Sequence, residues 1–258
     1  KTILELYVDG EKIGKHYITT QENIKLPLTY IGSKENGFCG LLGEARYWRV
    51  ARSPKEIKRD MKIKHAMILA AGLGKRMQPI TSKLPKPLLQ IGGKTLIDRT
   101  IDLMTDFGVE ELTVNVHHLA DKVIEFIKKK KIHIKINISD ERKLLLDTGG
   151  GILKGTEPFN ENPFIVINPD TIWNNGYLDE LNKLEKIFFK ENKSSLLLVK
   201  KDNSFDTSFK GDFNLSDNFV SRDLENEFIF TGAQILNRKI FQSVNKKIFS
   251  MNAIWDIL

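Results

Sequence analysis

The densest group of chemistry-bearing residues is Ala70-Ala71-Gly72-Leu73-Gly74-Lys75-Arg76, directly after the apolar run Met67-Ile68-Leu69. Small residues leave the backbone open, so its N–H groups can approach phosphate oxygens closely. Lys75 and Arg76 add two fixed positive charges. A P-loop would need four residues between its first glycine and Gly-Lys-Ser/Thr, and this spacing fails. A dinucleotide fingerprint would need a third small residue where Met77 stands. Lys86 follows between Pro85 and Pro87, which restrict the backbone and hold the ammonium in one place. Asp170 comes just past Phe164-Ile165-Val166-Ile167, where a loop carboxylate can bind Mg²⁺, a hard ion that takes oxygen ligands and keeps several waters. An aspartate after a strand also serves as a plain turn or helix cap. His117 and His118 are neighbours, and neighbours on a strand point to opposite faces, so they make a poor chelating pair.

The elements that must position these groups alternate. Ala66 to Ala71 is a buried strand running into the glycine turn. Leu96 to Phe107 has helical periodicity, and Leu112 to Val116 is a strand. Ala120 to Lys129 is a helix, Ile132 to Ile138 alternates as a strand, and Phe164 to Asn168 is a buried strand. This order predicts an α/β fold: a Rossmann-like, open, mostly parallel sheet with helices on both faces, spanning residues 61–258. Ligands bind such sheets outside the carboxyl ends of the strands.

The pair formed by Gly72-x-Gly74-x-Arg76 with the following Pro79 and Thr81, and by Leu84-Pro85-Lys86-Pro87-Leu88, resembles the sugar-1-phosphate nucleotidyltransferase family. The resemblance covers residues 65–258. It extends to Asn115-Val116-His117-His118, Asp140-Glu141-Arg142, Leu146-Asp147-Thr148-Gly149-Gly150-Gly151 and Asn168-Pro169-Asp170. Gly211-Asp212-Phe213 and Phe230-Thr231-Gly232 also fit. These segments match the branch of N-acetylmuramate α-1-phosphate uridylyltransferases, and mannose 1-phosphate guanylyltransferases share much of the pattern. The resemblance implies a reaction between a nucleoside triphosphate and a sugar 1-phosphate that releases pyrophosphate, with Mg²⁺ as cofactor. It assigns Arg76 and Lys86 to catalysis. Ala70, Ala71, Gly72, Gly74, Lys75, Thr148 and Gly149 would bind the nucleotide. Gly150, Glu141, Asp212 and Thr231 would bind the sugar, and Asp170 the metal. In the family a further strand carries a second metal-binding aspartate. None lies at that place before Leu258, so the 258-residue chain is expected to turn over slowly or not at all. No hexapeptide repeat of the kind that forms an acyltransferase β-helix occurs.

Residues 1–60 follow a different pattern. Ile3 to Val8 ends at the hairpin turn signal Asp9-Gly10. His16 to Ile18, Leu28 to Ile31 and Glu44 to Val50 continue as strands, and Ser53-Pro54-Lys55-Glu56 is a helix start. With Ile31-Gly32-Ser33 and Gly40 through Trp48, the segment resembles the last part of a laminin-G-like, concanavalin-A-type jelly roll, a small partial β-sandwich. That likeness implies a glycan contact. It suits an extracellular setting, whereas nucleotide chemistry suits the cytoplasm; a fusion near Asp60–Met61, without a Gly/Ser linker, would reconcile the two. A non-catalytic protein binding nucleotide and glycan is the alternative reading. The net charge is +7. Its densest run, Lys128 to Lys131, looks like a solvated helix end rather than a nucleic-acid surface. No apolar run is long enough to span a membrane. Cys39 is the only cysteine, which excludes an intrachain disulfide and a cysteine metal cluster and suits a buried core thiol.

Overall fold

The structure, a computed structural model, describes residues 2–8, 11–18 and 61–256 except 161, 205, 207 and 209. The expectations for Cys39, for the strands at 28–31 and 44–50, for the helix start at Ser53 and for most of the jelly-roll likeness lie outside the described residues. The chain divides into two compact units, Lys1–Lys62 with Phe189–Glu191, and Ile63–Phe188 with Asn192–Leu258. In the first, strand β1 (Thr2–Val8) pairs antiparallel with β2 (Glu11–Ile18), from Thr2 opposite Ile18 to Val8 opposite Glu11.

The second unit is built on a six-stranded sheet. Its strands are β3 (His65–Leu69), β6 (Glu111–Val116), β7 (Lys135–Asp140), β8 (Phe164–Ile167), β9 (Ser195–Lys200) and β12 (Phe228–Leu236), in the order β7-β6-β3-β8-β12-β9. Strands β3, β6, β7 and β8 pair in parallel, and β12 runs antiparallel to both β8 and β9. Phe164, Ile165, Val166 and Ile167 are all buried, as a strand covered on both faces requires. Two small hairpins, β4 (Gln90–Ile91) with β5 (Lys94–Thr95) and β10 (Asn214–Ser216) with β11 (Phe219–Ser221), lie outside the sheet. The α-helices among the described residues are α1 (Ile80–Lys83), α2 (Leu96–Phe107), α3 (Ala120–Lys129), α4 (Asp147–Gly155), α5 (Leu178–Glu191) and α6 (Asn252–Trp255).

Helix α2 keeps the limits that its periodicity predicts, for identifiable reasons. The Thr95 hydroxyl caps its start by accepting from the Asp98 N–H, and Gly108, at φ 100°, ends it in the left-handed region. Strand β7 begins at Lys135, three positions later than Ile132, where the alternation starts. The lysine run at the end of α3 is not wholly solvated. Lys130 turns inward to Asp98 and to Asp102 (2.6 Å), and Lys94 also pairs with Asp102. This network ties the end of α3 to α2 and β5.

Burial pushes the Asp102 carboxyl up, but hydrogen bonds from Lys130 and Lys94 outweigh it and hold the carboxyl below its ordinary value. Burial likewise lowers the Lys130 ammonium, yet its bonds to Asp102 and Asp98 leave it raised. A lowered carboxyl stabilises fully above its unfolded-state pKa, and that contribution disappears as pH falls through the folded-state value. The network therefore holds at neutral pH and fails in acid. Asp102→Asn is expected to cost on the order of 1 kcal/mol at neutral pH and to make unfolding less steeply dependent on pH in the acid range. Denaturant titrations at a series of pH values check this; parallel acid limbs for the two proteins would contradict it.

Candidate active site

The chain enters the sheet at β3, adds β6 and β7 on one side, and then crosses to place β8 on the other. The gap beyond the carboxyl ends of β3 and β8 is therefore a topological switch point, where open α/β sheets bind ligands. A cleft of about 890 Å³ opens there. One wall is the loop after β3. Another is the loop after β8, and a third comes from the segment before α4.

The glycine loop is held from beneath. The Ala70 N–H donates to Asn115 Oδ1 at 2.7 Å. Gly74 takes φ +63°, and a Cβ on it would sit 2.8 Å from Thr81 Cγ2, so both backbone and space require glycine. Its carbonyl accepts from Met77 N at 2.9 Å and from the Thr81 hydroxyl at 2.8 Å. The short 3₁₀ turn Lys75–Met77 follows and buries none of its residues. Lys75 and Arg76 line the cleft, and their side chains have no ion pair or hydrogen-bond partner among the described residues, so two uncompensated cations face it.

Lys86 begins a second 3₁₀ turn, Lys86–Leu88, which buries Pro87 and Leu88 and packs against α2. The buried pair anchors the turn while the lysine reaches the cleft. Its Nζ donates to Asp170 Oδ2 at 2.5 Å, so the two charges from opposite walls meet. The loop carrying Asp170 is pinned on several sides. Asn168 N donates to Gly232 O at 2.8 Å, the fully buried Trp173 indole donates to Asn168 O at 2.6 Å, and the Thr171 hydroxyl donates to Thr231 O at 2.7 Å. Asp170 offers hard oxygen ligands, and a magnesium site commonly uses one or two carboxylates with phosphates and water. The donor chemistry thus fits Mg²⁺ with Asp170 as its protein ligand. Among the described residues no cluster of three or more His, Cys, Asp or Glu forms an all-protein metal cage.

Of the residues singled out in the sequence, Ala70, Ala71, Gly72, Gly74, Lys75, Arg76, Lys86, Thr148, Asp170, Asp212 and Thr231 line this one cleft. Thr148 and the last two have partners already. The Thr148 hydroxyl accepts from Met251 N at 2.8 Å, the Asp212 carboxylate accepts from Phe230 N at 2.8 Å, and the Thr231 hydroxyl donates to Leu197 O at 2.8 Å. Three others do not line it. Gly149 and Gly150 are buried packing positions: a Cβ on Gly149 would lie 2.3 Å from the Phe249 ring, and one on Gly150 would lie 2.2 Å from Lys247 O. Glu141 is 1% exposed, with both carboxylate oxygens engaged inside the protein. The triplet is therefore a close-approach seam rather than a ligand-facing or flexible turn, and Glu141 is not a sugar-facing group. His117 and His118 donate to separate backbone carbonyls, of Glu141 and Thr81, each at 2.8 Å.

Gly149→Ala should consequently lower stability by about 2 kcal/mol through overpacking. The melting temperature would fall by about 4–8 °C for a domain of this size. A thermal scan decides, and an unchanged midpoint would refute the seam. Sequence reasoning passed over Asn115, Asn168 and Gly232 as cleft residues. The available signals were their places in segments that fit the family pattern, and for Asn115 also a polar residue near the end of the apolar strand Leu112–Val116. Gly232 has φ +94°, and a Cβ there would meet Asn168 at 2.8 Å. At the nearby surface, hydrogen bonds from Arg142 hold the Asp140 carboxyl below its usual range.

Residues 65–206 match the family model described as nucleotidyl transferase. Over 113 residues the chain is 44% identical to the N-acetylmuramate alpha-1-phosphate uridylyltransferase of Caulobacter vibrioides, a match covering 43% of this chain and 47% of that protein. Over 112 residues it is 32% identical to a probable mannose-1-phosphate guanylyltransferase of Oryza sativa subsp. japonica, covering 42% and 31%. It thus spans about half or less of the length of these curated relatives. Among solved structures it is similar to HddC from Yersinia pseudotuberculosis complexed with GMP-PN, at 27% identity and a TM-score of 0.58, covering 73% of this chain and 83% of that one.

Proposed function

The chain belongs to the nucleotidyl transferase family, and from that premise we propose that it transfers UMP from UTP to N-acetylmuramate 1-phosphate and releases pyrophosphate. The observation that carries the reading is the convergence on one cleft of an open glycine turn, two cations without partners among the described residues, Lys86 and Asp170. In the proposed reaction an oxygen of the sugar phosphate forms a bond to the α-phosphorus, and the bond from that phosphorus to the β-phosphate bridging oxygen breaks. The nucleophile is a phosphate already ionised near neutral pH, so no side chain has to remove a proton. The protein's work is to bring two anions together and spread their charge.

Backbone N–H groups at Gly72 and Gly74 cradle the triphosphate, with Ala70 and Ala71 leaving space for it. Arg76 stabilises charge on the triphosphate as the leaving group departs, and Lys75 contacts the outer phosphates. Lys86 holds the phosphate at the reacting centre. Asp170 would hold Mg²⁺, which supplies charge neutralisation on the phosphates. Thr148 would contact the nucleotide; Asp212 and Thr231 line the same cleft and would contact the sugar. We assign this activity to residues 61–258, which would work in the cytoplasm where nucleoside triphosphates are held, in the recycling of cell-wall sugars. Residues 1–60 would be a separate jelly-roll segment that contacts glycans.

The choice of UTP and N-acetylmuramate 1-phosphate follows the relative with 44% identity over 113 residues; GTP with mannose 1-phosphate is the second reading, favoured by the relative at 32%. A panel of nucleoside triphosphates against sugar 1-phosphates, with Mg²⁺, separates the two. UDP-N-acetylmuramate as the main product supports the first, GDP-mannose the second. Binding of a triphosphate with no transfer to any sugar phosphate, even with the family's further strand and its aspartate added, would favour a sensor over an enzyme.

A further inference from the structure

Glu141 is a buried carboxylate that the proposed chemistry does not use, and its contacts lead to the phosphate loop. Its Oε1 accepts from Asn115 Nδ2 at 2.7 Å, and its Oε2 accepts from Leu146 N at 3.0 Å. Asn115, 3% exposed, in turn accepts from Ala70 N through Oδ1 at 2.7 Å. A backbone N–H can only donate, so the atom of Asn115 facing Ala70 must be the oxygen. The amide nitrogen is then the atom facing Glu141. Both groups that Glu141 meets are donors, and only a carboxylate accepts at both oxygens. Glu141 is itself fixed at its backbone: its N–H donates to Val116 O at 2.8 Å, and its carbonyl accepts from His117 Nδ1 at 2.8 Å. Gly151 lies against the pair. A Cβ there would sit 2.9 Å from Asn115 Nδ2 and 3.0 Å from Glu141 Oε1, so the third glycine of the triplet makes room for this contact.

We propose that Glu141 is a positioning residue for phosphate binding: it sets the direction of the Asn115 amide, which anchors the start of the glycine loop through Ala70, and the same carboxylate anchors the Leu146 turn on the other side of the cleft. The two walls that would grip a nucleotide are thereby referenced to one buried group, which touches neither substrate nor metal. Leu146 directly precedes α4, so the carboxylate also sits where a helix start favours negative charge. The proposal rests on the reading of this cleft as a nucleotide site, and its test is arranged so that the two can fail separately.

The test is an exchange of groups. Glu141→Gln presents a donor to one of two donors and leaves a buried group unsatisfied. Asn115→Asp sets two carboxylates against each other. The double variant restores the pattern at unchanged net charge. The carboxylate now at position 115 accepts from Ala70 N and from the amide now at position 141, and the oxygen of that amide accepts from Leu146 N. Two readouts are measured on the full chain: the dissociation constant for Mg·UTP, and the hydrogen-exchange protection of the Ala70 amide. Each single variant is expected to bind Mg·UTP about tenfold more weakly, the loss typical of one buried hydrogen bond, and to lose protection at Ala70. The double variant is expected to regain both. Wild-type affinity and protection in Glu141→Gln would overturn the proposal, as would a double variant no better than the singles. If a single variant does not fold, the double decides: folding with a protected Ala70 amide supports the relay, and failure to fold overturns it. If the wild-type chain binds no nucleoside triphosphate, the functional reading falls while the exchange readout still decides the relay.

Discussion

Arg76→Ala is expected to lower kcat by about a hundred- to a thousandfold, the usual cost of removing one preorganised donor aimed at transition-state charge. The expectation follows from where the guanidinium stands. It is exposed on a 3₁₀ turn, lines the cleft, and has no partner among the described residues. Its substitution breaks no contact of the resting protein, so the melting temperature should not move. The whole effect should fall on the charged ligand. Arg76→Lys should recover only part of the loss, because an ammonium cannot offer a planar pair of donors to phosphate oxygens. Steady-state rates of pyrophosphate release measure this. A variant as fast as the wild type would remove Arg76 from the mechanism.

Lys86→Ala should have a comparable effect on kcat/KM and an opposite one on the metal. In the structure Lys86 Nζ lies 2.5 Å from Asp170 Oδ2, so the proposed phosphate ligand and the proposed metal ligand neutralise each other. A divalent cation arriving alone must displace the ammonium. If it arrives with a triphosphate, as the proposed reaction has it, the ammonium would be free to pass from the carboxylate to a phosphate. Removing Lys86 frees Asp170, and Mn²⁺, as a probe for Mg²⁺, should then bind the nucleotide-free protein about tenfold more tightly, the scale of a coupling of about 1.4 kcal/mol. Turnover should nevertheless fall by about a hundredfold or more. Titration of Mn²⁺ followed by electron paramagnetic resonance reads the first effect. Equal Mn²⁺ affinity in the two proteins would contradict the exchange of partners.

How much of this was legible depends on the range of the interactions concerned. Helices α2 and α3 could be read because their periodicity is local, as are the Thr95 cap and the Gly108 stop of α2. The glycine loop and the Pro-Lys-Pro turn could be read because backbone requirements are written in residue type at adjacent positions. The antiparallel sense of β12 could not, since a strand's apolar pattern is the same in either direction. Nor could the inward turn of Lys130 or the packing of Gly149 and Gly150, because Asp98 and Phe249 are distant in sequence from them. Glu141 misled for the same reason. A carboxylate in a polar turn reads as exposed until the fold brings Asn115 beneath it.

The most direct test of the account follows the α-phosphate itself. The chain is incubated with Mg²⁺, N-acetylmuramate 1-phosphate and UTP labelled at the α-phosphorus, and the products are separated. The account predicts that label passes to UDP-N-acetylmuramate with one pyrophosphate released for each, at whatever rate, and that none passes without the sugar phosphate. Label appearing as free UMP, or pyrophosphate release indifferent to the sugar phosphate, would contradict it.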